Sequence, residues 1–221
     1  MKRIQTFTFL TLIAFLFSCQ NQAQVNTKQQ AVINASPIEV PLDNGLAKAY
    51  FASGCFWCVE AIYESVKGVT EVYNGYSGGY TNNPTYELSN TGRTGHAEAV
   101  EVIYDPKIVS FKSLVDVYFG SQNIEQVNGQ GPDNGSQYRS IIFFQNDAQK
   151  QIILEKIKAL ETQENISVAA EVYPFQKFWL GEDYHQNYER LHPNHPYIRR
   201  ISIPRLRKFQ NKFPHLLKST H

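Results

Sequence analysis

The chain is 221 residues long and nearly neutral, since 21 Lys and Arg residues face 20 Asp and Glu residues and leave a formal net charge of +1. A protein that binds nucleic acid usually carries a clear basic excess, so this composition argues against nucleic acid as a partner. Basic residues do gather at positions 199–212, where we interpret them as a solvated surface.

The N-terminus has the pattern of an export signal. Two basic residues at positions 2 and 3 precede the apolar run from Phe7 to Phe17, which is typical of a secretory signal and too short to cross a bilayer. Residues 16–19 resemble the cleavage box of bacterial lipoproteins, in which Cys19 becomes the lipidated first residue. A plain signal peptide cut nearby is the alternative. We expect a signal peptide at 1–18 and an exported lipoprotein, anchored in the membrane and facing the periplasm or the cell exterior.

The next segment differs in composition from the rest of the chain. Residues 19–44 are rich in Gln, Asn and small side chains, contain two prolines, and show no periodicity. This composition predicts a lipidated tether without a core of its own. Residues 45–221 have the length of one ordinary domain.

Two of the three cysteines lie at a predicted junction between a strand and a helix. Residues 46–52 predict a strand that enters a core, and the apolar spacing from Phe56 onward predicts a helix. Because unpaired backbone N–H groups at a helix start favour an anion, we expect a stabilised thiolate and a nucleophile at Cys55. A buried or disulfide-bonded structural pair with Cys58 is the alternative.

The later elements alternate in a recognisable order. Strands are predicted at Val69–Tyr76, Ala97–Tyr104 and Arg139–Phe144, and helices from Phe111 and at Asp147–Glu164. The order strand, helix, strand, strand, helix, strand predicts an α+β fold, a ferredoxin-like two-layer sandwich with helices on one face of a mixed sheet. We also expect an edge strand at 166–172 and a long irregular wrap in the last fifty residues.

Six blocks, in this order along residues 46–200, resemble the signature blocks of the A class of peptide methionine sulfoxide reductases. The blocks are Gly54–Trp57, Gly75–Gly79, Asn83–Tyr86, Thr94–Glu98, Gln130–Asp133 and Gln137–Ser140. That family has an elaborated ferredoxin-like fold, which agrees with the predicted strand order. The resemblance implies reduction of the S epimer of methionine sulfoxide, in oxidised proteins and peptides or as the free amino acid.

The resemblance also implies roles for individual residues. Cys55 would attack the sulfoxide sulfur while Glu98 gives a proton to its oxygen. Tyr86 and Tyr138 would hydrogen-bond that oxygen. Asp133 matches a second acidic position of the family, which would position a water molecule or a tyrosine.

Three aromatic residues complete the implied site. Phe56 and Trp57 would form an apolar seat for the methyl group of the substrate. His185, in the block Asp183–Gln186, would line the pocket, with a structural hydrogen-bonded histidine as the alternative.

Many relatives have resolving cysteines near the C-terminus. This sequence has no counterpart of them, because no cysteine follows Cys58. We therefore expect Cys58 to resolve the sulfenic acid of Cys55 and a thioredoxin-like protein or a dithiol to open the resulting disulfide. The resemblance implies no bound cofactor and no metal, and we expect a monomer.

The sequence is also compatible with three other classes of protein. A thiol–disulfide oxidoreductase would also place Cys-x-x-Cys at a helix start. A zinc enzyme is suggested by His96 and Glu98 together with the cysteines, although zinc deaminases have these blocks in the reverse order. A surface lipoprotein without catalytic activity is the third.

Overall fold

The structure, a computed structural model, describes residues 27–219; the predicted signal peptide and Cys19 lie outside this range. A six-stranded sheet with the order β7-β6-β1-β3-β2-β8 forms its centre. All neighbouring strands are antiparallel except β6 and β7, which are parallel. These strands are β1 (Ala47–Ala52), β2 (Val69–Ser77), β3 (Ala97–Tyr104), β6 (Ile141–Phe144), β7 (Glu171–Pro174) and β8 (Phe178–Leu180), and a separate small hairpin pairs β4 (Gly129–Gln130) with β5 (Asp133–Asn134).

The helices of the main core cover one face of this sheet, and the first helix lies on the other face. The helices are α1 (27–33), α2 (Phe56–Glu64), α3 (Tyr86–Asn90), α4 (Phe111–Gly120), α5 (Asp147–Glu164), α6 (Tyr188–Leu191) and α7 (Ile203–Lys212). Side chains of β1 alternate between the two faces, so that Phe51 packs under α2 and α4 in the main core and Tyr50 points to the other face. The four inner strands have the order β6-β1-β3-β2, and the predicted ferredoxin-like sandwich is confirmed.

The second face of the sheet is covered by the segment predicted to be a tether. Ile33 and Val40 pack against a buried cluster that includes Tyr50 and Phe143. Backbone hydrogen bonds reinforce the contact, since the Ile38 N–H donates to the Phe175 carbonyl at 2.8 Å. The described part of this segment, residues 27–44, is therefore packed chain, because Ile33 and Val40 join a cluster that Phe175 and Phe178 also cover.

The last fifty residues are more regular than predicted. The edge strand lies at Glu171–Pro174 rather than at 166–172, and the segment after it contains β8, α6, α7 and a π-helical turn at Ile198–Ser202. This segment is fixed to the start of the domain by polar contacts. The Asn187 N–H donates to the Glu60 carboxylate at 2.8 Å. In the described part of the chain, no helix combines the length and the apolar character needed to span a bilayer.

Candidate active site

Cys55 lies at the junction between β1 and α2. Gly54 has φ of +80°, a conformation that strains any residue with a side chain, and a Cβ at this position would lie 2.5 Å from the Cβ of Gln130. Both the backbone conformation and the lack of space therefore require glycine. Cys55 itself is the N-cap residue of α2, makes no side-chain cap hydrogen bond, and is 7% exposed. The turn therefore holds a nearly buried thiol at the N-terminus of a helix, as the sequence predicts.

The acid that faces this turn is Glu98, near the start of β3. Its side chain is 2% exposed, and its Oε2 accepts the N–H of Phe56 at 3.0 Å. Burial raises the pKa of Glu98 to about 8, more than the Phe56 hydrogen bond lowers it. At neutral pH most of this carboxyl is protonated, so a proton donor stands beside Cys55.

The predicted stabilisation of the Cys55 thiolate is wrong for the resting site. Burial, the hydrogen bond to Cys58 and the nearby charge of Glu98 raise the pKa of Cys55. The helix N-terminus does not reverse this, because the Phe56 N–H is already paired with Glu98. The negative charge belongs instead on Cys58, since the hydrogen bond from Cys55 lowers the pKa of Cys58 to about 7.

The two phenols predicted for the site lie beside the thiol and the acid. Tyr86 and Tyr138 are half-buried, burial raises the pKa of both, and both lie close to Cys55 and Glu98. Tyr86 is placed by its own backbone, whose N–H donates to Glu182 at 2.9 Å. Two neutral hydroxyl donors therefore face the same small volume as the thiol.

Phe56 and Trp57 follow the nucleophile on the first turn of α2. Phe56 is 1% exposed, and Trp57 stacks on Tyr188 with ring centroids 3.8 Å apart. His185 accepts the Trp57 indole N–H at its Nδ1, at 3.2 Å, and its ring lies 4.8 Å from that of Phe56. These contacts support the structural interpretation of His185, because the buried imidazole packs on the aromatic seat and fixes it by a hydrogen bond; its lining of the pocket stays a prediction.

Asp133 reaches the cysteine pair through Tyr197. Its Oδ2 accepts the Tyr197 hydroxyl at 2.6 Å, and the same hydroxyl lies 3.7 Å from the Cys58 sulfur. Burial raises the pKa of Asp133, although the Tyr197 hydrogen bond opposes it. The acid thus positions a tyrosine, one of the two roles that the resemblance implies.

The sequence analysis missed three residues of the site: Glu182, Tyr197 and Arg205. Glu182 accepts both the Tyr86 N–H and the Tyr76 hydroxyl, the latter at 2.8 Å. Arg205 donates to both the carbonyl and the side chain of Ser53, at 3.0 and 3.1 Å. All three lie in the C-terminal segment, and Glu182 directly precedes a block that the resemblance already singled out.

A zinc site receives no support from the described residues. Among residues 27–219, no group of three His, Cys, Asp or Glu side chains is arranged to hold a metal ion. Both ring nitrogens of His96 are engaged, with Nδ1 accepting the Gly79 N–H at 3.1 Å and Nε2 lying 2.8 Å from the Thr81 carbonyl.

Comparison with known proteins places this geometry in a family. A family model described as peptide methionine sulfoxide reductase matches residues 47–217. Relatives named peptide methionine sulfoxide reductase MsrA are 43% identical in Sulfolobus acidocaldarius, over 75% of this chain and 94% of the relative, and 43% identical in Pasteurella multocida, over 77% and 98%.

Solved structures agree with these matches. Methionine sulfoxide reductase A of Corynebacterium diphtheriae is 32% identical with a TM-score of 0.61, covering 72% of this chain and 83% of that one. Mxr1 from Saccharomyces cerevisiae in its reduced form is 27% identical with a TM-score of 0.63, covering 74% and 93%. The chain belongs to the peptide methionine sulfoxide reductase family.

Proposed function

We propose that this protein reduces the S epimer of methionine sulfoxide to methionine, in oxidised proteins and peptides and as the free amino acid. The observation that carries the proposal is the protonated carboxyl of Glu98 beside the Cys55 thiol, with two phenols and an aromatic seat around them. Family membership favours this function over general thiol–disulfide exchange.

The oxidative half-reaction needs a nucleophile and an acid together. Cys55 attacks the sulfoxide sulfur, its proton passes to the Cys58 thiolate to which it is hydrogen-bonded, and Glu98 protonates the oxygen. Tyr86 and Tyr138 donate hydrogen bonds to that oxygen as its charge changes. The oxygen then bonds to the Cys55 sulfur, its bond to the substrate sulfur and the bond between the two sulfurs break, methionine leaves, and Cys55 keeps the oxygen as a sulfenic acid.

Selection of the substrate follows from the seat beside the thiol. Phe56 and Trp57 offer apolar surface to the methyl group on the sulfoxide sulfur. His185 and Tyr188 hold the Trp57 indole by a hydrogen bond and by stacking. A rigid seat of this kind places the sulfur within reach of Cys55 and directs its oxygen toward the donors.

Recycling uses the second thiol. Cys58 lies one helical turn from Cys55 and carries the lowered pKa of the pair, so it is ionised enough near pH 7 to attack the sulfenic acid. The attack forms the Cys55–Cys58 disulfide and releases water. A thioredoxin-like protein or a small dithiol then reduces the disulfide, and no bound cofactor takes part.

We also propose that the protein is exported and anchored by a lipid on Cys19. This proposal rests on the sequence pattern of residues 1–19 alone. We further propose that the working unit is a monomer.

The proposed activity is tested with the two epimers of a blocked methionine sulfoxide. The intact enzyme should reduce the S epimer and leave the R epimer unchanged, whereas Cys55→Ser should reduce neither. Chiral chromatography of the product with excess dithiothreitol measures both. Equal consumption of the two epimers, or retained activity in Cys55→Ser, contradicts the proposal.

The role of Cys58 is tested by measuring the moles of methionine released per mole of enzyme. Cys58→Ser should still release one methionine per chain without a reductant and then hold a sulfenic acid, which a sulfenic-acid trapping reagent labels. Its steady-state rate with a thioredoxin-like donor should be lost, because no disulfide forms for that donor to attack. Unchanged rates with both a thioredoxin-like donor and a dithiol rule Cys58 out as the resolving thiol.

A further inference from the structure

A cavity of about 360 Å³ lies against Cys58. Its lining includes Cys58, Asp133 and Tyr197 but not Cys55, Phe56 or Trp57. Its volume falls at the lower end of the range of cavities that hold small ligands. The oxidative chemistry proposed above does not use it.

The cavity is rich in positive charge. Arg205, Lys208 and Lys212 line it, with Asp133 as the single carboxylate among its lining residues. Lys208 and Lys212 are exposed, lie one turn apart on α7, and form no ion pair with any described residue. Their charge is therefore free to attract an anion.

The guanidinium of Arg205 is held in place by the protein itself. Its Nε donates to the Ser121 carbonyl at 2.8 Å, and its other nitrogens donate to Ser53. The positive charge nearest to Cys58 is thus fixed, and it helps to lower the pKa of Cys58.

Access also favours a small molecule at this position. Cys58 is 1% exposed, so its sulfur is reached more easily by a small thiol bound in this cavity than by a thiol on the surface of a protein. Thiol–disulfide exchange requires the attacking sulfur to approach in line with the disulfide. A cavity that touches Cys58 and not Cys55 offers that approach to Cys58.

We propose that this cavity binds a low-molecular-weight thiol carrying carboxylates, which reduces the enzyme by attacking Cys58. The proposal rests on the Cys55–Cys58 disulfide of the proposed function. The incoming thiol forms a bond to the Cys58 sulfur, and the bond to Cys55 breaks. Cys55 takes up the proton that the incoming thiol gave up. A second molecule of the same thiol then attacks the mixed disulfide, frees Cys58 and leaves as the oxidised dimer of the thiol.

The test compares three thiols of similar size and different charge on the oxidised enzyme. Protein that has turned over once is mixed with 3-mercaptopropionate, 2-mercaptoethanol or cysteamine, and reduction is followed by thiol titration, with rates normalised to thiolate concentration. At low salt we expect the anionic thiol to react about tenfold faster than the cationic one. The preference should shrink with added salt and in the double variant Lys208→Gln/Lys212→Gln.

A charge-matched control separates the cavity from the overall charge of the protein. The double variant Lys107→Gln/Lys158→Gln removes two exposed lysines that do not line this cavity and should keep the full preference. Glutathione, as a larger anionic thiol, should be trapped with one equivalent as a mixed disulfide on Cys58, mapped by mass spectrometry.

The outcomes distinguish the two proposals. If a turnover forms no Cys55–Cys58 disulfide, the recycling step of the proposed function fails and the cavity proposal falls with it. If the disulfide forms but the three thiols react at rates independent of their charge, or the adduct lies on Cys55, the cavity proposal alone is overturned.

Discussion

At the level of single residues, the decisive contact is between the Glu98 carboxyl and the Phe56 N–H, at 3.0 Å. Four N–H groups at a helix start lack partners within the helix. Here one of them donates to the Glu98 carboxyl rather than to the Cys55 sulfur. This hydrogen bond lowers the pKa of Glu98, but burial raises it more, so that Glu98 stays protonated while Cys58 carries the charge. A sulfoxide needs this combination, because its sulfur is a poor electrophile until the oxygen is protonated.

This pattern of ionisation predicts a bell-shaped dependence of kcat/KM on pH. Activity should rise as the cysteine pair loses its first proton, near the lowered Cys58 pKa of about 7, and fall as Glu98 loses its proton near its raised pKa of about 8. Glu98→Gln should lower kcat/KM by about 10²- to 10³-fold and remove the falling limb, since the amide cannot ionise. Steady-state rates with the S epimer from pH 5 to 10 measure both effects.

Glu101 provides the matched control on the same strand. Its carboxylate accepts from Lys48 at 3.0 Å and from the Tyr50 hydroxyl at 2.9 Å, away from Cys55. Glu101→Gln should therefore keep the rate and both limbs. If the falling limb survives in Glu98→Gln, the ionisation that causes it belongs to another group.

At the level of elements, the sequence predicts most boundaries where side-chain periodicity is strong. The helix Asp147–Glu164 and the strand Ala97–Tyr104 match the prediction residue for residue. The edge strand is displaced to Glu171–Pro174 because its pairing with β6 sets its position, and residues 166–170 lack alternation strong enough to reveal this.

The N-terminal segment is the element that sequence composition describes least well. Polar composition predicts unpacked chain, yet Gln29 donates to the Gly78 carbonyl at 2.7 Å and Val40 donates through its N–H to Gln145 at 2.8 Å. The interactions that order it come from residues far along the chain, so no local pattern reports them. This segment acts as the second layer over the sheet.

Removing an apolar contact of this segment should therefore cost stability but not activity. Ile33 is half-buried against the cluster behind the sheet, so Ile33→Ala should lower the free energy of unfolding by about 1–2 kcal/mol and the Tm by a few degrees. Leu42→Ala, at a position 62% exposed, should change neither by more than about 0.5 kcal/mol. Thermal and urea unfolding of residues 27–221 measure the difference. Equal stability of the two variants would mean that the segment does not pack in solution.

At the level of the whole molecule, the candidate site divides into a part that the sequence predicts and a part that it cannot. Cys55, Glu98, Tyr86 and Tyr138 stand in recognisable blocks, and the fold brings them together as expected. The residues around Cys58 come from segments separated by more than sixty positions, as with Asp133 and Tyr197. Only the path of the C-terminal segment back over α2 joins them.

The same fold explains why the resting site does not favour the Cys55 thiolate that the helix start predicts. A helix start favours an anion in general, but which anion occupies it depends on the strand that lies opposite. β3 delivers Glu98 to that position, and the C-terminal segment delivers Arg205 to Cys58. Both are tertiary effects that residue spacing does not contain.

The placement of both cysteines on one turn of α2 has a consequence for survival under peroxide. Bringing in a distant chain segment requires a slow loop movement, whereas Cys55 and Cys58 already lie one helical turn apart. On the recycling route proposed above, Cys58 captures an oxidised Cys55 before a second oxidant converts it to the sulfinic acid, from which ordinary thiols cannot rescue it. Proximity within a single turn serves as a safeguard for the catalyst against the stress that damages its substrates.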